Sequence, residues 1–246
     1  MERENPMRKT LSCATLFLFI LITAEAQPEL QWNFRNGTQK GKTWSFQSAD
    51  SKRKGTVTCN DYLSGGGVNG SGALVCGPGK GHRAYFGKLS NSSAAIDITF
   101  KLNAPPSRKM TLFSYQENTW GRAYFGIYLM PGSRFGLLFN IDNKQEKKKF
   151  SLETAPAALH AGSFHTLRVT VSSGGMARIY LDGKLLKEDN GAMSFSDFTA
   201  PPVDAYHPFA TLGHSYWGCN IGEPFDGLIA GLKIMDLPAE TPVEEN

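Results

Sequence analysis

The stretch Pro224-Phe-Asp-Gly-Leu-Ile-Ala-Gly-Leu-Lys-Ile-Met-Asp236, near the C-terminus, decides the fold of this chain. Every second residue from position 228 to position 234 is apolar, which is the alternation of a half-buried β-strand. Ile229 and Met235 break this alternation, because they fall on the opposite side of the strand. The segment is therefore predicted to be a β-strand, and alternation alone leaves open which of its faces is the core.

The rest of the chain shows the same strand-like patterning. Residues 30–34, 95–102 and 165–171 alternate between apolar and polar types, and Asp182-Gly183 is a hairpin signal between apolar flanks. Glycine occurs 26 times and proline 13 times, spread as turn signals between short apolar runs. No long stretch has the 3.6-residue period of a helix, so an all-β protein is predicted.

The two ends of the chain differ from its middle. Residues 1–26 combine Arg8 and Lys9 with an apolar run and the small-residue site Ala24-Glu25-Ala26, which is typical of a cleaved secretory signal peptide. We therefore expect a secreted, extracellular protein. A single domain is predicted over residues 27–237, followed by a polar, flexible tail over residues 238–246.

The charge of the chain limits its partners. The formal net charge is +4, which is too mild to indicate nucleic acid. Such a charge is compatible with an anionic polysaccharide. Stable insertion into a membrane is not expected, because no second apolar segment follows the first.

Three cysteines and three glycosylation sequons follow the predicted cleavage site. A glycine-rich segment separates Cys59 from Cys76, and a disulfide between them would close that loop; pairing of Cys219 with either one is the alternative. The sequons begin at Asn36, Asn69 and Asn91 and must lie at the surface if they carry glycans.

Four segments occur in an informative order. They are residues 163–171 (Ser-Phe-His-Thr-Leu-Arg-Val-Thr-Val), 177–184 (Ala-Arg-Ile-Tyr-Leu-Asp-Gly-Lys), 210–214 (Ala-Thr-Leu-Gly-His) and 224–235. In this order they resemble the second half of a laminin-G-like, concanavalin A-like jelly roll of the lectin-glucanase superfamily. The resemblance implies a two-sheet antiparallel jelly-roll sandwich.

The resemblance also implies how the C-terminal strand is built. In the family pattern the core positions correspond to Phe225, Ile229, Leu232 and Ile234, a spacing that strict alternation cannot produce. One extra residue at Ala230-Gly231 would form a β-bulge that switches the facing of the strand. We therefore expect Gly231 to permit the bend and the three apolar residues 229, 232 and 234 to share the core.

The sequence carries few signs of catalysis or of a metal site. The E-x-D-x-x-E carboxylates of hydrolytic jelly rolls are absent, as is G-x-S-x-G, so an enzyme is not the first expectation. His165 stands at a family strand position and is expected to be packed and hydrogen-bonded. Because family members bind Ca²⁺ through loop oxygens, Asp204 and Glu223 are weak candidate ligands for this possible cofactor.

Two aromatic-rich segments resemble carbohydrate platforms, in which aromatic rings stand beside amide and carboxylate hydrogen-bonding groups. We expect ligand-binding roles for seven residues in these segments: Tyr115, Glu117, Asn118, Trp120, Tyr216, Trp217 and Asn220. The lysine-rich residues 144–149 offer a second binding chemistry, a patch for heparin-like sulfated chains. The pentapeptide Arg-Ala-Tyr-Phe-Gly occurs twice, at 83–87 and 122–126, and is interpreted as two strands in similar surroundings.

The function predicted from these features is non-catalytic binding of an extracellular glycan, glycosaminoglycan or glycoprotein. One alternative is an atypical polysaccharide-active enzyme of the same fold. Another is an extracellular adhesion or structural protein that binds a second protein, with Cys219 free to form intermolecular bridges. Turnover of a polysaccharide would distinguish the first alternative, and a dimer on non-reducing gels would favour the second.

Overall fold

A computed structural model describes residues 30–49, 51–86, 93–116, 123–142, 147–193, 209–217 and 220–237. These residues form β1 (Leu30–Trp32), β2 (Thr38–Lys40), β3 (Thr43–Gln47), β4 (Thr56–Cys59), β5 (Tyr62–Leu63), β6 (Ala73–Cys76), β7 (His82–Tyr85), β8 (Ala94–Leu102), β9 (Met110–Gln116), β10 (Ala123–Met130), β11 (Arg134–Asp142), β12 (Lys147–Glu153), β13 (Phe164–Val171), β14 (Ala177–Leu181), β15 (Lys184–Asp189), β16 (Phe209–Leu212), β17 (Ser215–Trp217), β18 (Asn220–Gly222) and β19 (Gly227–Asp236). The one helical element in these ranges is a 3-10 turn, Val68–Gly70. Over the same ranges, no helix has the length and hydropathy that crossing a membrane requires.

Most of the strands belong to two antiparallel sheets. The eight-stranded sheet has the order β15-β14-β13-β8-β19-β6-β5, with β1 also paired to β19. The nine-stranded sheet has the order β12-β11-β10-β9-β16-β7-β4-β3-β2, and β17 and β18 form a separate hairpin. This architecture confirms the predicted two-sheet jelly-roll sandwich. The predicted signal peptide (1–26) and tail (238–246) lie outside the described residues.

The core lies between the two sheets. Strands in both sheets alternate buried and less buried residues, as β7 and β13 do over their whole lengths. Aromatic contacts join the sheets directly: the ring centroids of Phe100 and Phe135 lie 6.2 Å apart, and those of Trp32 and Phe86 lie 6.0 Å apart. Each sheet therefore has an inner face in the core and an outer face directed away from it.

The C-terminal strand contains the predicted bulge. The register between β19 and β8 shifts between Ile229 and Gly231, so Ala230 is the extra residue. The bulge puts Ile229 in the same core cluster as Leu232 and Ile234, which confirms the expected switch of facing. It also coincides with a change of partner, because β19 pairs with β6 before the bulge and with β1 after it.

The two glycines of β19 have different roles. A Cβ at Gly227 would lie 2.1 Å from the carbonyl oxygen of Lys101 and 2.9 Å from the Phe225 ring, so only glycine fits there. At Gly231 the nearest atoms would be 3.6 Å away, which is ordinary van der Waals contact. The bulge therefore does not require glycine at 231, contrary to our expectation that this residue permits the bend.

The predicted disulfide between Cys59 and Cys76 is wrong, because both residues are buried free thiols. Cys59 ends β4 in the nine-stranded sheet and Cys76 ends β6 in the eight-stranded sheet, so hydrogen-bonded strands already hold both ends of the loop. Burial raises the pKa of Cys59 to about 12 and also raises the pKa of Cys76, so both stay protonated at neutral pH. Cys219 lies outside the described residues.

Candidate functional site

The outer face of the nine-stranded sheet carries a line of small polar side chains. Strand register places Thr38 beside Ser45, Ser45 beside Thr58, Thr58 beside Arg83, Arg83 beside Thr211, and Thr211 beside Ser114. We call these six residues the hydroxyl row. Four members of the row, Thr38, Ser45, Thr58 and Arg83, are at least partly exposed and offer donors and acceptors to a polar ligand, whereas Thr211 and Ser114 are buried.

Tyr85 lies on the same outer face, two residues beyond Arg83 on β7. Both side chains are exposed, whereas His82 and Ala84 on the same strand are buried. Tyr85 is 40% exposed and is one of few large exposed apolar side chains among the described residues. A tyrosine in this position offers a flat apolar ring with a polar tip.

A pocket of about 350 Å³ opens at these residues. Its polar lining comes from Thr43, Thr58, Asn60, Arg83, Tyr85 and His214, and Cys59, Gly79 and Gly81 complete it. Two further depressions lie next to it, one containing Ser45 and Gln47 and the other containing Asn60 and Asp61. The open part of the outer face therefore extends across β2, β3, β4 and β7.

The other half of this face is closed by its own side chains. The hydroxyl of Tyr128 donates to that of Tyr124 across 2.6 Å, and Ser114 Oγ lies 2.6 Å from Thr211 Oγ1. Gly126, between the tyrosines, makes room for them, since a Cβ there would lie 2.7 Å from the Tyr128 hydroxyl. Burial raises the pKa of Tyr124 to about 12 and raises that of Tyr128 further, so both phenols stay neutral.

Glu223 fastens the segment after β18 to this closed half. The backbone N–H of Thr111 donates to the Glu223 carbonyl at 2.8 Å, and the Thr111 hydroxyl donates to the carboxylate at 3.1 Å. Lys109 Nζ lies 3.0 Å from the same carboxylate and 3.6 Å from the centroid of the Tyr128 ring. Glu223 therefore pairs with an ammonium group in this structure, and its candidacy as a weak calcium ligand stays a prediction. In the described ranges, no group of three or more His, Cys, Asp or Glu residues could hold a metal ion.

Two buried histidines stand beneath the pocket. His214 Nδ1 lies 3.1 Å from the carbonyl of Leu212, and His82 Nε2 lies 2.9 Å from the carbonyl of Val75, so each of these nitrogens is the protonated donor. Burial lowers the pKa of His214 to about 4, and burial also lowers the pKa of His82. Both rings are therefore neutral at physiological pH and have a structural role.

His165 lies far from this pocket, in the eight-stranded sheet, and is packed and hydrogen-bonded as expected. Its Nδ1 donates to Asp182 Oδ2 at 2.7 Å, and its Nε2 accepts from the backbone N–H of His160 at 3.2 Å. Asp182 also accepts from the backbone N–H of Thr166 at 2.8 Å. The imidazole therefore ties the β14–β15 turn to β13, and its hydrogen-bonding groups are used within the fold.

One of the predicted sugar-binding residues is placed in the core. Tyr115 is 1% exposed, and its ring lies at 18° to that of Phe86 with 6.0 Å between their centroids. The prediction that Tyr115 stacks on a ligand is wrong, because β9 continues to Gln116 and alternation turns residue 115 inward.

The other predicted residues fall partly outside the described ranges. Tyr216 and Trp217 lie on β17, and Asn220 lies on β18 directly opposite Trp217 in the hairpin. The sequon residues Asn36 and Asn69 are both exposed, as glycosylation requires. Glu117, Asn118, Trp120, Asp204 and Asn91 lie outside the described residues, so their roles stay predictions.

Sequence reasoning missed Arg83 and Tyr85, although it found the signal that marks them. In the first copy of Arg-Ala-Tyr-Phe-Gly, Tyr85 faces outward and Phe86 is buried. In the second copy Tyr124 lies on the same outer face, and Phe125 lies in the core. The repeated pentapeptide therefore marks two strands that present a tyrosine to the same face of one sheet.

Comparisons with known proteins agree with this architecture. A family model described as the "Concanavalin A-like lectin/glucanases superfamily" matches residues 80–240. No curated protein matches the chain in sequence.

Similar solved structures include two small domains. One is the CBM40 of the Ruminococcus gnavus IT-sialidase bound to α2,3-sialyllactose, with 19% identity, a TM-score of 0.51, and coverage of 68% of this chain and 90% of that one. Another is domain 4 of AbnA, a GH43 extracellular arabinanase from Geobacillus stearothermophilus, in complex with arabinotriose, with 16% identity, a TM-score of 0.55, and coverage of 85% and 92%. At these identities the likeness concerns the fold. With more than half of its length matched by the family model, this chain belongs to the concanavalin A-like lectin/glucanases superfamily.

Proposed function

We propose that this protein is a secreted, non-catalytic domain that binds an extracellular glycan on the open part of the outer face, around Tyr85. The observation that carries the proposal is the exposed Tyr85 ring beside a polar pocket on a sheet face. The ring would cover the apolar side of a sugar, while side chains around it bind the hydroxyl groups.

The pocket supplies the hydrogen-bonding groups that such binding needs. Thr43, Thr58 and Asn60 all line it, and their hydroxyl and amide groups can both donate and accept. Thr43 Oγ1 donates to Asn60 Oδ1 at 3.2 Å, which leaves the amide NH₂ of Asn60 available to a ligand. These groups stand on β-strands or directly after one, so their positions are fixed before the ligand arrives.

Structures of similar fold favour the same class of ligand. The CBM40 domain is bound to sialyllactose, and the arabinanase domain is in complex with arabinotriose. In this chain the hairpin of β17 and β18 follows β16, the strand next to β7 in the nine-stranded sheet. We propose that Tyr216, Trp217 and Asn220 on this hairpin extend the binding surface.

Binding without turnover is favoured by three described carboxylates near this face, each of which is paired with a basic side chain. Glycosidases need two carboxylates across a cleft, one of which acts as the acid. Here Asp61 lies 3.4 Å from Lys80 Nζ, Glu153 lies 3.1 Å from Arg134, and Glu223 is held by Lys109. Incubation with a panel of polysaccharides should therefore release no new reducing ends, whereas steady release would favour the enzyme alternative.

A glycan array probed with the purified protein tests the binding proposal. We expect wild-type protein to bind a subset of the glycans, and Tyr85→Ala to weaken that binding by about tenfold to a hundredfold, the size of a hot-spot residue. The matched control is Tyr180→Ala, since Tyr180 lines a pocket on the outer face of the other sheet. An array without any bound glycan, or equal binding by both variants, would contradict the proposal.

Secretion is tested separately. Expression of the full chain in a secreting cell should deliver protein to the medium with Gln27 as its first residue, because cleavage is expected after Ala26. Intact-mass measurement checks this directly. Protein that stays in the cells with residues 1–26 attached would remove the secreted part of the proposal.

A further inference from the structure

Basic side chains line the open part of the outer face, and their charge bears on the chemical class of the ligand. Arg83 stands in the middle of the hydroxyl row, between Thr58 and Thr211, and its exposed side chain lines the pocket. Lys40 and Lys42 line the two neighbouring depressions. By strand register Lys40 shares the outer face with Arg83, and Lys42 lies in the turn between β2 and β3.

The described carboxylates near these residues are held by other basic groups. Asp61, at the rim, pairs with Lys80, and Glu223 pairs with Lys109 on the closed half. Glu153, at the far edge, pairs with Arg134. Among the described residues, the pocket and the depression at Ser45 are lined by the basic residues Arg83 and Lys40 and by no carboxylate.

The chemistry of Arg83 specifies the kind of group it would bind. A guanidinium is a planar fork of N–H donors that matches a carboxylate or a sulfate with two parallel hydrogen bonds. Tyr85 lies two residues along the same strand and faces the same way, about 6.6 Å away at the rise of a β-strand. A sugar lying on Tyr85 would therefore bring a substituent at its edge within reach of Arg83.

We infer that the glycan bound at this site is anionic and that Arg83 binds its carboxylate or sulfate group while Tyr85 covers the sugar ring. This inference rests on the proposed function and narrows it to one chemical class. It assigns Arg83 to selectivity for acidic glycans and Tyr85 to binding of glycans in general.

Matched probes on one array separate these two roles. Lactose and 3′-sulfolactose differ only in a sulfate group, 3′-sialyllactose adds a carboxylate-bearing sugar to the same lactose core, and trigalacturonic acid is paired with its methyl ester, which lacks the carboxylate charges. We expect the wild-type protein to bind the acidic member of at least one set at least tenfold more tightly than its neutral partner. The two lactose derivatives distinguish a carboxylate from a sulfate as the preferred group.

Variants at Arg83 test the assignment. Arg83→Gln should bring the ratio of acidic to neutral binding to within about twofold, and Arg83→Lys should retain part of the ratio because it keeps the charge without the fork. Arg168→Gln, on the outer face of the eight-stranded sheet, should leave the ratio as in the wild type. Thermal unfolding of each variant identifies any that is misfolded, and Arg83→Lys then carries the test.

The outcomes separate this inference from the proposed function. Equal wild-type binding of acidic and neutral partners, or an acidic preference that survives in Arg83→Gln, overturns the inference and leaves glycan binding at Tyr85 intact. Binding of the acidic probes that is equally strong in Tyr85→Ala places the acidic group elsewhere and also overturns it. An array on which the wild-type protein binds nothing contradicts both.

Discussion

The outer faces of the two sheets use polar side chains in different ways. On the eight-stranded sheet, Arg168 makes two contacts of 2.7 Å with the carboxylate of Asp97, and Thr99 Oγ1 lies 3.3 Å from Thr166 Oγ1. On the nine-stranded sheet, the half formed by β2, β3, β4 and β7 carries four residues of the hydroxyl row, Thr38, Ser45, Thr58 and Arg83, beside an exposed tyrosine and a pocket. A pocket opens on the eight-stranded sheet too, at Thr166, Arg168 and Tyr180, but Arg168 is held there by Asp97. The two faces therefore differ in the exposed Tyr85 ring and in the cross-strand ion pair.

The two halves of the nine-stranded sheet differ from each other in the same way, as its closed half shows. Ser114 bonds Thr211, and Tyr128 bonds Tyr124, on the same outer face as Arg83 and Tyr85. The contrast therefore lies between the closed half, where buried side chains bond one another, and the pocket around the exposed Tyr85. Three perturbations test it, in addition to the Tyr85→Ala and Arg83→Gln variants.

Acidification should have the largest effect, because it charges a buried ring beneath the pocket. The pKa of His214 is about 4 in the folded protein, below its ordinary value of 6.5. Between these values the unfolded chain binds a proton that the folded chain does not. Stability is therefore fully present above pH 6.5 and is lost as pH falls toward 4, by at most about 3 kcal/mol. Chemical denaturation at a series of pH values measures this slope.

Two variants, His214→Asn and His160→Gln, test this dependence of the free energy of unfolding on pH. The first should flatten the pH dependence between 6.5 and 4, whatever its effect on stability at neutral pH, although His82 retains a share because burial lowers its pKa as well. The second changes an exposed histidine near the other sheet and should leave the slope as it is. A slope that is the same in all three proteins would contradict the role of His214.

Gly126→Ala should have the next largest effect, through the closed half of the outer face. Its Cβ would lie 2.7 Å from the Tyr128 hydroxyl and 2.8 Å from Tyr124, so the hydrogen-bonded pair must move apart. We expect a loss of about 2 kcal/mol in the free energy of unfolding, as for an overpacked buried site. Gly136→Ala on the adjacent strand is the control, since nothing would lie closer than 3.8 Å. Equal losses in the two variants would show that the tyrosine pair is not tightly packed.

Asp97→Asn should have the smallest effect, about 1 kcal/mol of stability, because Arg168 is partly exposed to solvent. It should not change glycan binding, since the pair lies on the outer face of the eight-stranded sheet. A double-mutant cycle with Arg168→Met measures the coupling of the two side chains. Weakened glycan binding in Asp97→Asn would mean that this face also contributes to the site.

The bulge in β19 could be predicted because the family resemblance indicated which of its apolar positions face the core. Ile229, Leu232 and Ile234 are apolar at a spacing that one extra residue explains, and the structure places all three in the core. The exchange of partner strands at the bulge could not be predicted. Pairing of β19 with β6 and then with β1 joins segments that lie far apart in sequence, and local patterning carries no record of it.

The site was less predictable than the fold, because it depends on which strands are neighbours in a sheet and on which of their side chains face outward. Tyr115 stands among polar residues and looks like a loop aromatic, yet β9 extends past it and turns it inward. Arg83 and Tyr85 look like ordinary strand residues until β7 is placed beside β4 and β16. Cys59 and Cys76 both lie in the core, and burial, with a smaller contribution from Cys59, raises the pKa of Cys76, yet both are free thiols, so sequence spacing did not predict their bonding state.

The most direct test of the central claim is to locate the bound glycan on the protein. The glycan that binds most tightly on the array is titrated into ¹⁵N-labelled protein, and the amide shifts are followed by NMR. Binding around Tyr85 predicts that the largest shifts fall on β3, β4 and β7, at Thr43, Thr58, Arg83 and Tyr85. Largest shifts on β8, β13 and β14, around Asp97, Arg168 and Tyr180, would place the ligand on the other sheet and contradict the account.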